Sequence, residues 1–244
     1  MKIKAVIPNY GVKALERIFR RSIDSVKAPD TEVVLEFVRG GVESIENTYD
    51  EQVSQFFIIQ AMEPAEKEGY DAVTVLCAGD PAIAAVRDVL DIPVVGIFES
   101  AVYLACLLGR KFSVVTVLDD AVPVLEEKIV ALGLERRCAS VRSVNIPVLD
   151  LEKDHDRMVE GLSLESEKAI RQDRADTIVL GCAGMSEAAK AVSQRVGVPV
   201  IDPVGAGIKM MEVLHALGLS HSRKAYFYPR PKKRVCSPVV STNV

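Results

Sequence analysis

Apolar residues in this chain fall into short runs separated by longer amphipathic stretches. KIKAVIPN, TEVVLEFV and DAVTVL are strand-like, whereas LERIFRRSIDSV and a long segment from about Thr48 to Glu68 are helix-like. Strands that alternate with helices of roughly ten or more residues indicate βαβ units and a parallel sheet. The two-residue alternation is weak in VVLEFV and absent in VVGIF, as expected of strands covered on both faces. A helix is expected from about Asp80, and a further strand in IPVVGIF.

From Ser100 the series begins again. A helix ESAVYLACLLG, a strand FSVVTVL, a helix AVPVLEEKIVALG and a strand around ASVRSVNI lead to a helix from about Asp154 to Asp173. The strand DTIVLG, a helix from Ser186, the strand VPVID and a last helix GAGIKMMEVLHALG follow. Asp71 and Asp176 are 105 positions apart, as are Cys77 and Cys182, and Pro93 of DIPVVG matches Pro199 of GVPVID after a one-residue slip. The fold class is therefore α/β: two lobes related by pseudo-twofold duplication, each a parallel sheet of about four strands flanked by helices. The expected division is 1–99 plus 207–228 for the first lobe, with a returning C-terminal helix, 100–206 for the second, and a tail over 229–244.

Composition narrows the function. Thirty Lys plus Arg against 34 Asp plus Glu give a net charge of −4, so no overall positive field points to nucleic acid or to an anionic membrane. The basic stretch PRPKKR, residues 229 to 234, is expected to be a solvated tail. The apolar run at the N-terminus is too short for a secretory signal, and nowhere do ~18 apolar residues follow one another, so a cytoplasmic protein is expected. GAGIKM lacks the third glycine of a dinucleotide fingerprint and does not open the first βα unit, so no cofactor is assigned to it. Five cysteines form neither a CxxC motif nor a Cys/His cluster, which argues for free thiols and against disulfides and zinc. His155, His215 and His221 show no ligand spacing, and no metal is expected.

Two of the cysteines carry the candidate chemistry. DAVTVLCAGD and DTIVLGCAGM each place Cys-Ala-Gly directly after a buried strand and before a helix, at the carboxyl edge of the sheet where α/β folds bind ligands. Asp80, with Pro81 after it, and Ser186 are the expected helix caps. A helix start favours a thiolate, so at least one of Cys77 and Cys182 should titrate below the free-cysteine value near 8.5. Alanine and glycine after each sulfur let a ligand approach the backbone closely. Facing one another across the cleft, the two sulfurs would flank a bound carbon acid, one removing a proton and the other returning one to the opposite face. The plainer alternative makes them small buried hydrophobes. That alternative is preferred for Cys106, on an apolar helix face, for Cys138, and for Cys236 in the tail.

At these residues the chain resembles the hydantoin racemases of the aspartate/glutamate racemase superfamily. IVLGCAGM is the most specific stretch, supported by LCAGDP, SAVYLACLLGRKFSVVT, GVPVIDPVGAGIK and LGLSHSRKAYFYPRPK. The resemblance implies two flavodoxin-like lobes and cofactor-independent racemisation of 5-substituted hydantoins, or of a related ring such as allantoin. It implies Cys77 and Cys182 as acid and base, Asn9 and Tyr10 as residues lining the cleft, and the backbone N–H groups of Ala78, Gly79, Ala183 and Gly184 as carbonyl-binding donors. The family usually has Phe where this chain has Ala78 and Thr where it has Tyr10, and both departures bear on the ring substituent. Amino-acid racemases of the superfamily follow their cysteines with polar residues, whereas Ala-Gly here suits a neutral ring read by backbone donors. Alternatives are an aspartate or glutamate racemase, an enzyme like maleate isomerase or arylmalonate decarboxylase, or a non-catalytic two-lobed binding protein. The expected partners are a small-molecule substrate and further copies of the chain in a homo-oligomer, with no nucleic acid and no membrane.

Overall fold

The computed structural model describes residues 1–234. The first half builds β1 (Lys2–Ile7), α1 (Leu15–Val26), β2 (Glu32–Phe37), α2 (Thr48–Met62), β3 (Ala72–Val75) and the short α3 (Ile83–Arg87). Its parallel sheet has the order β2-β1-β3, with Ile3 opposite both Val33 and Ala72. β1 is central and buried on both faces, which explains its nearly unbroken apolar run. Its one charged interior residue, Lys4, is fully buried and reaches Glu36 and Glu68, each at 2.8 Å.

The second half runs through α4 (Ile97–Leu108), β4 (Phe112–Thr116), α5 (Ala121–Ala131), β5 (Cys138–Ser143) and α6 (His155–Gln172). It continues with β6 (Thr177–Leu180), a 3-10 segment (Ala183–Ala188), α7 (Ala189–Val196), β7 (Val200–Ile201) and α8 (Pro203–Ala216). The order is β5-β4-β6-β7, again all parallel, with Phe112 opposite Thr177 as Ile3 is opposite Ala72. Two parallel sheets flanked by helices thus repeat one wiring, as the duplicated pattern implied.

Two local expectations are corrected. IPVVGIF does not form a strand: only Val94 bridges Val73, and after Gly96 the chain turns into α4 at Ile97. No helix starts at Asp80, because Asp80 (φ 47°) and Ala82 (φ 65°) are left-handed and hold the helix back to Ile83. In the second half, likewise, the α-helix begins at Ala189 and not at Ser186.

Packing of α8 bears directly on the cleft. Asp202 caps it, accepting from Val204 N at 2.8 Å and Gly205 N at 3.0 Å, with Pro203 in the first turn. Val204, Ile208 and Met211 then join Ile3, Leu15 and Phe19 in one buried cluster. Past α8 the chain is tied to the end of α3. Ser220 donates to Asp91 O, Arg223 contacts Asp91 and Leu90 O, and Tyr226 accepts from Arg87. Residues 229–234 are exposed, and the rest of the expected tail lies outside the described residues. Among the described residues no helix is long and apolar enough to cross a membrane.

Candidate active site

Leu76, just past β3, donates its N–H to Val6 O at 2.8 Å, and Gly181, just past β6, donates to Val115 O at 2.8 Å. Cys77 and Cys182 are therefore the first residues to leave each sheet, at equivalent points of the two halves. Each turn closes on the cysteine carbonyl: Asp80 N donates to Cys77 O at 3.0 Å and Met185 N to Cys182 O at 3.1 Å. Glycine at 181 is required sterically, since a Cβ there would stand 2.6 Å from the Thr116 Cβ.

Both sulfurs line one pocket at the facing carboxyl edges of the sheets. Its cavity is about 60 Å³; since a single water needs ~10–15 Å³, this is room for a handful of heavy atoms, the scale of a small ring. Asn9, Ala78, Gly79, Ala183 and Gly184 also line it. Asn9 is buried and fixed by donating its amide to Glu43 O at 2.9 Å. Tyr10 is a correction: its backbone is held by Val42 O, its side chain is 50% exposed, and it does not line the pocket. Cys106 in α4 and Cys138 in β5 lie away from it, and Cys236 falls outside the described residues. Among the described residues no group of three or more potential ligands could hold a metal ion.

Three polar residues that the sequence reading did not single out, Glu46, Asn47 and Glu51, form much of the first-half wall. They come from ESIENTYDE, which follows β2 at the same sheet edge as the cysteines, and that position was the available signal. Asn47 caps α2 by accepting from Asp50 N at 3.0 Å, and Glu46 reaches across to accept from Val148 N at 2.8 Å. The second half answers with an apolar wall of Val117, Ala121, Val124, Leu125 and Val148. Neither Lys nor Arg lines the pocket.

The thiols titrate high, which corrects the expectation of a lowered value. Each cysteine keeps a partly exposed surface towards the pocket, yet protein crowds its sulfur on every side. Burial pushes the Cys77 thiol far up, with the charges of Glu51, Cys182 and Asp80 acting in the same direction; the Gly79 N–H opposes them. Burial pushes Cys182 up to about 11, Glu46 adds to it, and the N–H groups of Gly184 and Met185 oppose it. The favourable helix-end field is missing because α3 is a five-residue helix behind left-handed residues and the Cys182 turn opens a 3-10 segment.

The expected caps are also rearranged. Asp80 caps α4, with Phe98 N and Glu99 N donating to its two oxygens at 3.0 and 2.8 Å. Burial, followed by the nearby Glu99, raises this carboxyl to about 7, against the pull of the two N–H groups and Lys128. Glu99 is in turn paired with Arg87. Ser186 is buried within the 3-10 segment, and among the described residues its hydroxyl has no partner, so it caps no described helix.

Comparison with known proteins places this geometry in context. The family model described as Asp/Glu/Hydantoin racemase matches residues 3–211. Hydantoin racemase from Pseudomonas sp. (strain NS671) is 41% identical over 236 residues, spanning 96% of this chain and 94% of that protein. The crystal structure of allantoin racemase from Pseudomonas fluorescens is similar with a TM-score of 0.92 at 37% identity, covering 97% of this chain and 100% of that one. Allantoin racemase from Klebsiella pneumoniae gives 0.91 at 30% identity, over 97% and 96%.

Proposed function

The chain belongs to the Asp/Glu/Hydantoin racemase family, and from that premise we propose that it racemises a hydantoin-like ring, a 5-substituted hydantoin or allantoin, through a pair of cysteines. The observation that carries this reading is the arrival of Cys77 and Cys182, at equivalent points of two duplicated halves, in one pocket of ring size. One sulfur, as thiolate, takes the proton from the ring carbon beside the carbonyl. The other, as thiol, delivers a proton to the opposite face, and the roles reverse for the other enantiomer. Charge that develops on the carbonyl oxygen is met by backbone N–H groups of the cysteine turns, for which Ala78 and Ala183 are the candidates whose N–H groups do not face a sulfur.

The pocket's charge favours a ring over an amino acid. It holds Glu46 and Glu51 and no Lys or Arg, so a free carboxylate would meet two acidic side chains and no cation. A neutral ureide ring carries N–H donors that suit such a wall.

Proton NMR in D₂O of single enantiomers of a 5-alkyl hydantoin, allantoin, aspartate and glutamate tests the reading. Deuteration with inversion is expected for a ring substrate alone. Binding of the rings without exchange would make the protein a binding module, and faster inversion of aspartate or glutamate would make it an amino-acid racemase; either result overturns the proposal.

A further inference from the structure

Glu51 lines the pocket from the first turn of α2 and stands beside the Cys77 turn at Gly79. The position a Gly79 Cβ would take is 3.1 Å from the Glu51 Oε2 and 3.7 Å from the Cys77 Sγ. The missing glycine side chain is thus the gap across which carboxyl and sulfur share one space. Glu51 Oε1 accepts from Gln55 Nε2 at 3.3 Å, whereas Oε2 has no donor among the described residues. Lys128 of α5, whose charge acts on Glu51, donates to Asp80 O at 3.3 Å and does not line the pocket. A carboxyl oxygen so placed needs a donor, and a carbon held against Cys77 Sγ must put its own substituent atoms within reach of it.

Resting on the ring reading above, we infer that Glu51 is a specificity-determining residue: its carboxyl accepts a hydrogen bond from the ring N–H adjoining the reacting carbon. The site then takes rings with a donor at that position and rejects isosteres with an acceptor there, because two facing acceptors would be buried together.

The test compares a 5-alkyl hydantoin with the matching 5-alkyl oxazolidine-2,4-dione, in which ring oxygen replaces that N–H, in wild type, Glu51→Ala and Glu51→Gln. For the hydantoin, Glu51→Ala should lower kcat/KM about 10- to 100-fold, mostly through KM, and Glu51→Gln, which keeps an acceptor, should recover most of it. For the oxazolidinedione, Glu51→Ala should change kcat/KM by less than about threefold, or improve it. Equal losses on both rings would assign Glu51 to Cys77 or to the fold, and no loss on either would remove it from recognition; both results overturn the inference while leaving racemisation standing. Wild-type enzyme inactive on every ring would instead defeat the racemase reading, and this inference with it.

Discussion

The two cysteine turns share a register and differ in how they are held. The first is strained and tethered: Asp80 and Ala82 are left-handed, and the Asp80 carboxylate reaches 18 and 19 residues ahead to cap α4. The second is a 3-10 segment without positive φ, and the helix after its sheet, α8, is capped by its own neighbour Asp202. Gly96 stands where the second half has Asp202, and a Cβ at Gly96 would lie 2.3 Å from Asp80 Oδ2. In the first half the cap of the helix after the sheet comes from the cysteine turn, whereas in the second half cap and cysteine turn are separate. The walls diverge too. Carboxylates near both sulfurs, Glu51 by Cys77 and Glu46 by Cys182, come from the first half, and the second half supplies apolar surface. The repeated wiring sets where the sulfurs sit, and the two halves differ in what surrounds them.

This comparison can be broken in several ways. The largest expected effect is on rate. Since burial keeps both thiols protonated and Cys182 titrates at about 11, the form with a single thiolate gains about tenfold per pH unit well below that value. A kcat/KM profile of wild type should climb accordingly between about pH 6 and 8; a plateau there would mean that one thiolate is already formed. Next comes the tether. Asp80→Ala orphans the buried Phe98 N–H and the part-buried Glu99 N–H, should cost about 3 kcal/mol in denaturant unfolding, and should lower racemisation about 100-fold. Asp202→Ala should cost about 1–2 kcal/mol and leave racemisation near wild type. Equal effects on activity would show that the cap on the cysteine turn has no special role.

The same turn can be tested through the pH dependence of stability. Folding raises the Asp80 carboxyl from 3.8 to about 7, so the folded state binds this proton more tightly than the unfolded one does. Its stabilisation is complete below the lower value and is lost as pH rises through the upper one. Wild type should lose stability across that window relative to Asp80→Asn, in which this group no longer titrates; parallel curves would refute the assignment. The smallest expected effect is in alkylation. Iodoacetamide followed by peptide mass spectrometry should mark Cys182 before Cys77, because burial and neighbouring carboxylates raise Cys77 further.

Much of this was legible in the sequence because apolar runs and their repetition report the sheet directly. The 105-residue offset placed both cysteines at strand ends, and the strands did end there. What escaped depends on contacts distant along the chain. IPVVGIF has strand composition, but its residues serve a one-residue bridge and a helix start. Asp80 beside Pro81 has the local signature of a cap, and it does cap a helix, though a different one. Glu46 and Glu51 were not singled out, because nothing local in ESIENTYDE shows that the stretch between β2 and α2 carries Glu51 to the Cys77 turn and Glu46 towards Cys182. Tyr10 was placed in the cleft through the family resemblance, yet its side chain is exposed while that of its neighbour Asn9 is buried at the pocket. The thiol titration was misjudged since a local rule about helix ends cannot weigh burial.

The central claim, that each half serves one face of the reacting carbon, is tested most directly by hydrogen exchange in D₂O with Cys77→Ser and Cys182→Ser. Each variant should lose net racemisation, because every inversion needs both sulfurs. Each should still exchange the hydrogen of one enantiomer with retention, since the remaining thiolate faces that hydrogen, and the exchanged enantiomer should switch between the two variants. Exchange of the same enantiomer by both, or racemisation by either at the wild-type rate, would contradict the account.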